Sequence, residues 1–241
     1  MKIIDSIIDQ QKIAVLIDPE KCQSIAYIEQ LIEKIHFSGV DFIFIGGSTV
    51  SEKEFNQTIA ALKKLARIPI IIFPGSSSQV SPLADAILLL NLISGRNADF
   101  LITHHVQAAQ KIVDAGLEVI STSYLLIDGG SHSSVAYVSQ TTPIPQHQLS
   151  IATQTALAGK LIGHQLVFMD AGSGAKNCVS TEMVKAVKQL NQPLIIGGGI
   201  RSTSQIKQLF DAGANVVVIG NKIEEDIDFL LDLREITQQV K

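Results

Sequence analysis

Short apolar runs that stop at small or acidic residues recur along this chain. Residues 13–17 stop at Asp18-Pro19, residues 42–45 at Gly46-Gly47-Ser48, and residues 70–73 at Pro74-Gly75-Ser76. Residues 100–102 stop at Thr103-His104, and residues 119–120 lead on to 124–127, which stop at Asp128-Gly129-Gly130. Residues 166–168 run into Met169-Asp170-Ala171-Gly172-Ser173-Gly174-Ala175, residues 193–196 into Gly197-Gly198-Gly199, and residues 216–219 into Gly220-Asn221. Continuous apolar runs of this length read as strands buried on both faces. Between them the period becomes helical, with one face formed by Phe55, Ile59, Leu62 and Ala66. Similar faces are formed by Val106, Ala109, Ile112 and Val113, by Met183, Val187 and Leu190, and by Ile206, Leu209 and Phe210. Thr203 or Ser204 would cap the helix after the glycine triplet, and Ala115-Gly116 and Ala212-Gly213 read as helix ends.

Eight strands alternating with helices predict one α/β domain over residues 1–241, a (β/α)8 barrel. A doubly wound sheet is the weaker reading. The glycines cluster after the late strands, and Gly172-Ser173-Gly174 is not completed by a glycine at 177, which is Asn. Two segments depart from an ideal barrel. Gly75-Ser76-Ser77-Ser78-Gln79 reads as flexible, with only a short helix after it. Residues 129–150, rich in Ser, Thr and Pro, read as a long loop on the catalytic face and a candidate lid.

Composition narrows the function classes. Hydrophobic residues make up 46% of the chain and mean hydropathy is +0.29. A doubly buried sheet accounts for this, and an apolar groove or an oligomer interface would add to it. The net charge of −4 gives no basic footprint for nucleic acid. Cys22 and Cys178 have neither metal nor disulfide-framework spacing, which fits a reducing cytoplasm. The start of the chain, MKIIDSIIDQQK, places charges among its first apolar residues and does not read as a signal peptide. No apolar run reaches membrane-spanning length; the run through residues 86–90 stops at Asn91.

Active sites of such barrels lie at the carboxyl ends of the strands, and a phosphate commonly sits after strands seven and eight. Gly198, Gly199, Gly220 and Asn221 fit that place, and Ser173 and Gly174 would close it from the sixth strand. Small-residue turns expose successive backbone N–H groups, which bind anions. Asp18 is either a Mg²⁺ ligand, with Ser48 as its neighbour, or a helix cap. Asp170 is either a group that orients or deprotonates a substrate hydroxyl, or a turn aspartate. His104-His105 reads as a surface cap rather than a metal or acid–base pair. The acidic run Glu224-Glu225-Asp226-Ile227-Asp228 is acidic enough for a metal but reads rather as the first turn of the last helix, where negative charge is favourable.

Together these residues resemble the geranylgeranylglyceryl phosphate synthase family, which includes the related bacterial heptaprenylglyceryl phosphate synthases. The resemblance runs in order through Leu16-Ile17-Asp18-Pro19-Glu20-Lys21, Ile45-Gly46-Gly47-Ser48, Ile72-Phe73-Pro74-Gly75, Ser123-Tyr124-Leu125-Leu126-Ile127-Asp128-Gly129-Gly130, Thr141-Thr142-Pro143-Ile144-Pro145, Ala156-Leu157-Ala158-Gly159 and the three glycine turns. It implies a barrel with a reduced third helix. It also implies transfer of a prenyl group from its diphosphate to the sn-3 hydroxyl of sn-glycerol 1-phosphate, giving an ether lipid precursor. The metal implied is Mg²⁺ at Asp18 and Ser48, with Lys21 and Asp170 as catalytic groups. Acceptor binding falls to Phe168, Met169, Asp170, Ala171, Gly172, Ser173, Gly174, Gly198, Gly199, Gly220 and Asn221.

Donor length is expected to be C20, because the Tyr124–Gly130 and Thr141–Pro145 segments look more like the archaeal branch; a longer heptaprenyl donor is the alternative. The wall of a hydrocarbon groove is expected around Phe73 and residues 83–93. Dimers or larger homo-oligomers, and transient membrane contact at product release, are further expectations. The family usually carries Tyr-Leu-Glu where this chain has Phe168-Met169-Asp170. That change removes a phenol and shortens the carboxylate by one methylene, and Tyr124 would compensate if it points inward. Competing readings are a sugar-phosphate isomerase or aldolase-like barrel, which calls for a strand-borne lysine or paired carboxylates, and a barrel that binds polyprenyl phosphates without turnover.

Overall fold

The computed structural model describes residues 2–22 and 24–240, the last two by backbone alone. Met1, Gln23 and Lys241 lie outside the described residues. Strands β1 (Lys12–Ile17), β2 (Phe42–Ile45), β3 (Ile70–Ile72), β4 (Ala86–Asn91), β5 (Glu118–Leu126), β6 (Leu166–Asp170), β7 (Leu194–Gly197) and β8 (Val216–Ile219) pair in sequence order. All pairs are parallel, and β1 against β8 closes the barrel. The register sets Asp170 level with both Leu126 and Gly197.

Side chains of a strand alternate between faces, and here both faces are apolar. Ala14, Phe42, Phe44, Ile71, Leu88, Ile120, Leu166, Phe168, Ile195 and Val218 fill the barrel interior. Ile13, Val15, Ile43, Ile45, Val167, Met169 and Ile196 face the helical layer. That layer comprises α2 (Ile25–Ser38), α3 (Glu52–Leu65), α4 (His104–Ala115), α5 (Ser134–Ser139), α6 (Leu149–Leu161), α7 (Thr181–Lys188), α8 (Thr203–Asp211), α9 (Asn221–Glu225) and α10 (Phe229–Val240). A helix that the sequence pattern does not announce, α1 (Ile3–Asp9), closes the bottom of the barrel. Ile4 and Ile7 join the interior cluster, and the Glu118 carboxylate accepts from the Ile3 and Ile4 N–H groups at 2.7 and 2.9 Å.

Several expectations are corrected. Residues 100–102 are not the fourth strand. They belong to a π-helical turn, Asp99–Thr103, that runs into α4. The six-residue run of β4 occupies the sheet between β3 and β5 instead, and its end at Asn91 rather than at a glycine hides it. In α4 the buried face carries Ala108 and Ile112, whereas Val106 and Val113 are about 70% exposed (69% and 72%). Ser202, not Thr203 or Ser204, caps α8 through a reciprocal bond pair with Gln205. Residues 129–150 are not a structureless loop: α5 forms there, Ile144 bridges to Ile127, and α6 has begun by Leu149. The acidic run spans the end of α9 and the turn before α10, so it is not the start of the last helix.

No helix forms within residues 73–85, between β3 and β4. The segment is nonetheless pinned rather than loose. The buried Gln79 side chain donates to the Gly47 carbonyl at 2.8 Å and accepts from the Gly75 N–H at 3.0 Å. Gly75 approaches the end of β2 so closely that an added Cβ would lie 2.1 Å from the Gly47 carbonyl oxygen. Ile7→Ala, a deletion at a fully buried site, is expected to cost about 3 kcal/mol of stability. Glu118→Ala, which leaves two helix-start amides without their acceptor, is expected to cost about 1 kcal/mol. Urea denaturation followed by circular dichroism measures both.

Candidate active site at the carboxyl ends of the strands

The two-residue period of the strands decides which side chains meet above the interior. Inward positions Ala14 and Leu16 lead to Asp18, Leu166 and Phe168 to Asp170, Ile195 to Gly197, and Val216 and Val218 to Gly220. Asp18, Tyr124, Phe168, Asp170, Gly197 and Gly220 all line one cavity that opens at this end. Phe73, Tyr124 and Phe168 form its aromatic floor, with ring centroids 5.0 to 5.9 Å apart.

Tyr124 points inward. Its hydroxyl donates to Asp170 Oδ2 at 2.5 Å, and Asp170 Oδ1 accepts from the Gly172 N–H at 2.8 Å. Burial raises the Asp170 carboxyl above the ordinary aspartate range, against the lowering effect of the Tyr124 and Gly172 bonds. Burial, and then the neighbouring Asp170 charge, push the Tyr124 phenol well above its usual value. The carboxylate is thus a turn aspartate that also lines the cavity.

The three glycine turns converge, but not as open amides throughout. The turn 171–175 ties down four of its N–H groups. Ala171 donates to the Gly197 carbonyl, Gly172 to Asp170, Gly174 to Asn221 Oδ1 at 2.8 Å, and Ala175 to the Gly172 carbonyl. Only the Ser173 amide of that turn lacks a partner among the described residues. The expectation of successive free amides there is therefore corrected: neighbouring carbonyls and two side chains take them. Ser173, Ala175, Gly198, Gly199, Gly220 and Asn221 line the cavity, whereas Ala171 and Gly172 are buried outside it and Gly174 faces solvent. Met169 turns its side chain into the helical layer, as its position in the strand dictates. Gly198 has φ +81°, and an added Cβ would sit 2.6 Å from Asp170 Oδ1, so only glycine lets β7 pass this close to the carboxylate.

On the other side of the cavity Asp18 is a cap whose carboxylate also faces the cavity. Its Oδ1 accepts from the Glu20 N–H at 3.0 Å, capping the turn Pro19–Lys21, and it lines the cavity with Lys21, Gly47 and Ser48. A Cβ on Gly47 would lie 3.2 Å from Asp18 Oδ1, so the two strand ends are in contact. Glu224 faces the same space. Burial raises both Asp18 and Glu224; the Asp18 charge raises Glu224 further, and the charges of Glu20 and Glu54 raise Asp18. The donor set is hard oxygen: a half-buried carboxylate with a hydroxyl beside it and a second carboxylate nearby. It suits Mg²⁺, which takes one or two carboxylates and completes its shell with water and phosphate oxygens. No group of three or more acidic, His or Cys side chains that would suit a closed protein cage occurs among the described residues.

From the aromatic floor the cavity continues across the rim of β4. Phe73, Val80, Ile87, Leu89, Leu92, Phe100, Ala108, Ile112, Val135 and Val138 line it. Ile87 and Leu89 face outward from the barrel, so the groove leaves the interior where the helix between β3 and β4 is missing. The expected wall is found at Phe73 and in part of residues 83–93; Leu83 and Ile93 are not in it. His104 and His105 are not a surface cap. Both are half-buried and line the groove, His104 against the Phe100 ring and His105 bonded to the Leu90 carbonyl at 2.7 Å. Gln79, a polar residue ending a serine run, carries no readable signal in the sequence, whereas Glu224 lies in the acidic run and only the fold turns it into the cavity.

A closed (β/α)8 barrel whose carboxylates and glycine turns share one cavity at the strand ends belongs to the class of phosphate-binding barrel enzymes. Within that class, the chain belongs to the PcrB family, which it matches over residues 6–239. It is 48% identical over 229 residues to a geranylgeranylglyceryl phosphate synthase of Zunongwangia profunda, covering 92% of this chain and 97% of that protein. It is 39% identical to one from Korarchaeum cryptofilum, over 95% of this chain and 94% of the other. Among solved structures, (S)-3-O-geranylgeranylglyceryl phosphate synthase from Thermoplasma acidophilum, in complex with its substrate sn-glycerol-1-phosphate, superposes with a TM-score of 0.91 at 32% identity, covering 100% and 99% of the two chains.

Because burial raises Asp170 and the Tyr124 bond opposes it, the Asp170 carboxyl is expected to titrate above the ordinary aspartate value. Tyr124→Phe, which deletes the opposing bond, is expected to move the midpoint higher still. Carboxyl ¹³C NMR across acid pH measures both.

Proposed function

We infer that this protein transfers a geranylgeranyl group from its diphosphate to the sn-3 hydroxyl of sn-glycerol 1-phosphate, forming an ether lipid precursor. The observation that carries this reading is that one cavity joins the Asp170 carboxylate, the glycine turns and an apolar groove. The relatives' names, and the acceptor bound in the Thermoplasma enzyme, support the same assignment. An isomerase or aldolase-like barrel is less well supported, because the cavity's lysines, Lys21 and Lys222, stand on a turn and a helix rather than on strands.

In this reading Gly198, Gly199 and Asn221 hold the acceptor phosphate, and Ser173 closes over it. The glycerol hydroxyl then lies toward Asp170, which accepts its proton as the oxygen attacks C1 of the prenyl chain. The new O–C1 bond forms, the C1–O bond to diphosphate breaks, and inorganic diphosphate leaves. Lys21 neutralises charge growing on the leaving group. Mg²⁺ bound at Asp18, beside Ser48, would supply further positive charge at that end. Holding both partners in one cavity makes the step effectively unimolecular.

A homo-oligomer working in the cytoplasm completes the reading, with brief membrane contact to release product. Exposed apolar side chains on α4 and around α6, including Val113, Leu161 and Ile162, support an assembly face. Among the described residues no helix is long and apolar enough to cross a membrane.

Purified protein supplied with Mg²⁺, sn-glycerol 1-phosphate and C15 to C35 prenyl diphosphates is expected to yield a prenylglyceryl phosphate by mass, with C20 the preferred donor. Asp18→Ala is expected to abolish the product, and Asp170→Asn to lower kcat by about a hundredfold or more. A folded protein that makes no product from any donor sinks the assignment; preference for C35 transfers it to the heptaprenyl branch.

A further inference from the structure

The tip of the turn 171–175 is not held by packing. Ser173 and Gly174 are exposed, Gly174 sits at φ +74°, and nothing lies within 4 Å of where its Cβ would be. What holds the tip is polar. Ser131 Oγ donates to the Gly174 carbonyl at 3.0 Å, and Asn221 Oδ1 accepts from the Gly174 N–H at 2.8 Å and from Ser173 Oγ at 3.3 Å. The Asn221 amide is itself held from behind by Glu224, to whose Oε2 its Nδ2 donates at 3.0 Å, while the same Nδ2 lies 3.1 Å from Ser173 Oγ on the tip side.

An asparagine amide has two nearly isosteric ends with opposite hydrogen-bonding character. A hydroxyl such as Ser173 can face either end. An ionised carboxylate only accepts, so Glu224 dictates that Nδ2 turns toward it and Oδ1 toward Gly174. Glu224 also stands among Asp18, Lys21 and Glu225, an awkward place for negative charge beside a phosphate cradle. Among the described residues, the bond to Asn221 is the one hydrogen bond its side chain makes.

We propose that Glu224 is a positioning residue for the acceptor phosphate: it locks Asn221, and Asn221 clamps the Ser173–Gly174 tip against the start of α9. This rests on the acceptor reading above. With the lock removed, Asn221 keeps its bonds to the tip but loses its anchor, so the cradle opens between the sixth and eighth strand ends. Binding of sn-glycerol 1-phosphate then weakens while the groove and Asp170 stay as they are.

Calorimetric titration of the full chain with sn-glycerol 1-phosphate, without donor, tests this. Glu224→Ala is expected to bind about tenfold more weakly than wild type. Glu224→Gln, whose carbonyl can still accept from Nδ2, is expected to bind within about twofold of wild type. With prenyl diphosphate present, Glu224→Ala should raise the acceptor KM, and Glu224→Gln should restore it to near the wild-type value. In ligand-free protein, exchange of the Gly174 amide should speed up in Glu224→Ala and not in Glu224→Gln, with thermal melting reporting that both variants are folded. Equal affinity of the alanine variant, equal weakening by the glutamine variant, or unchanged Gly174 exchange each overturns the proposal. Failure of wild type to bind the acceptor instead overturns the functional reading and the positioning role with it, while Gly174 exchange still decides whether the clamp exists.

Discussion

Everything in this molecule follows from closing a parallel sheet whose strands show side chains to both faces. Each strand must offer apolar residues outward to the helices and inward to its seven neighbours, so polar side chains along the strands are few, Thr122 and Ser123 of β5 among them. The inward column of β6 reads Leu166, Phe168, Asp170, and that of β8 reads Val216, Val218, Gly220. Polarity and smallness enter only at the last position. At the opposite end α1 and its Ile4 and Ile7 seal the barrel. The site is therefore confined to one end before any catalytic residue is considered, and its members are set by parity within the strands.

That parity was legible in the sequence where a strand ends in Asp or Gly. It placed Asp18, Asp170, Gly198, Gly199 and Gly220 at one face, and seven of the eight strands were recognisable. It failed at β4, which ends in Asn91, because nothing marks that stop as a strand end. The neighbouring run at Phe100 resembles a strand in composition, but its backbone winds into a π-helical turn. Long-range contacts were equally hidden. Glu118 capping α1 and Gln79 pinning Gly75 join positions that sequence spacing does not connect. The acidic run misled for a different reason. Charge near a helix start has a local explanation, and only the fold reveals that Glu224 turns back toward Asp18.

The departure at Phe168 and Asp170 illustrates how a site tolerates change when its geometry is shared. A phenol absent from β6 is present on the adjacent β5, since Tyr124 and Phe168 are register partners and both point inward. Tyr124 reaches Asp170 at 2.5 Å, so the shorter carboxylate is still held and oriented. A phenol kept protonated by burial and by the carboxylate's charge is a dependable donor, and it tempers the rise that burial imposes on Asp170. In the proposed transfer, a buried carboxylate with a raised pKa would be better matched to removing a hydroxyl proton near neutral pH than an exposed aspartate.

The missing helix between β3 and β4 gives the rest of the cavity its direction. In a fully covered barrel the outward residues Ile87 and Leu89 would be sealed; here they form the wall of a groove that leaves the axis and runs toward α4. A polar head can then stay between the glycine turns and Asp18 while a hydrocarbon leaves sideways, without either crossing the other. The point where the two paths divide lies over Phe73, Tyr124 and Phe168. Aromatic faces attract cations, and the proposed transfer develops positive charge on the allylic carbon as diphosphate departs. In the proposed transfer the three rings, which also belong to the barrel core, would stabilise the reacting carbon beside the Asp170 carboxylate. In this fold the packing that closes the barrel and the surface that meets the substrate are the same side chains.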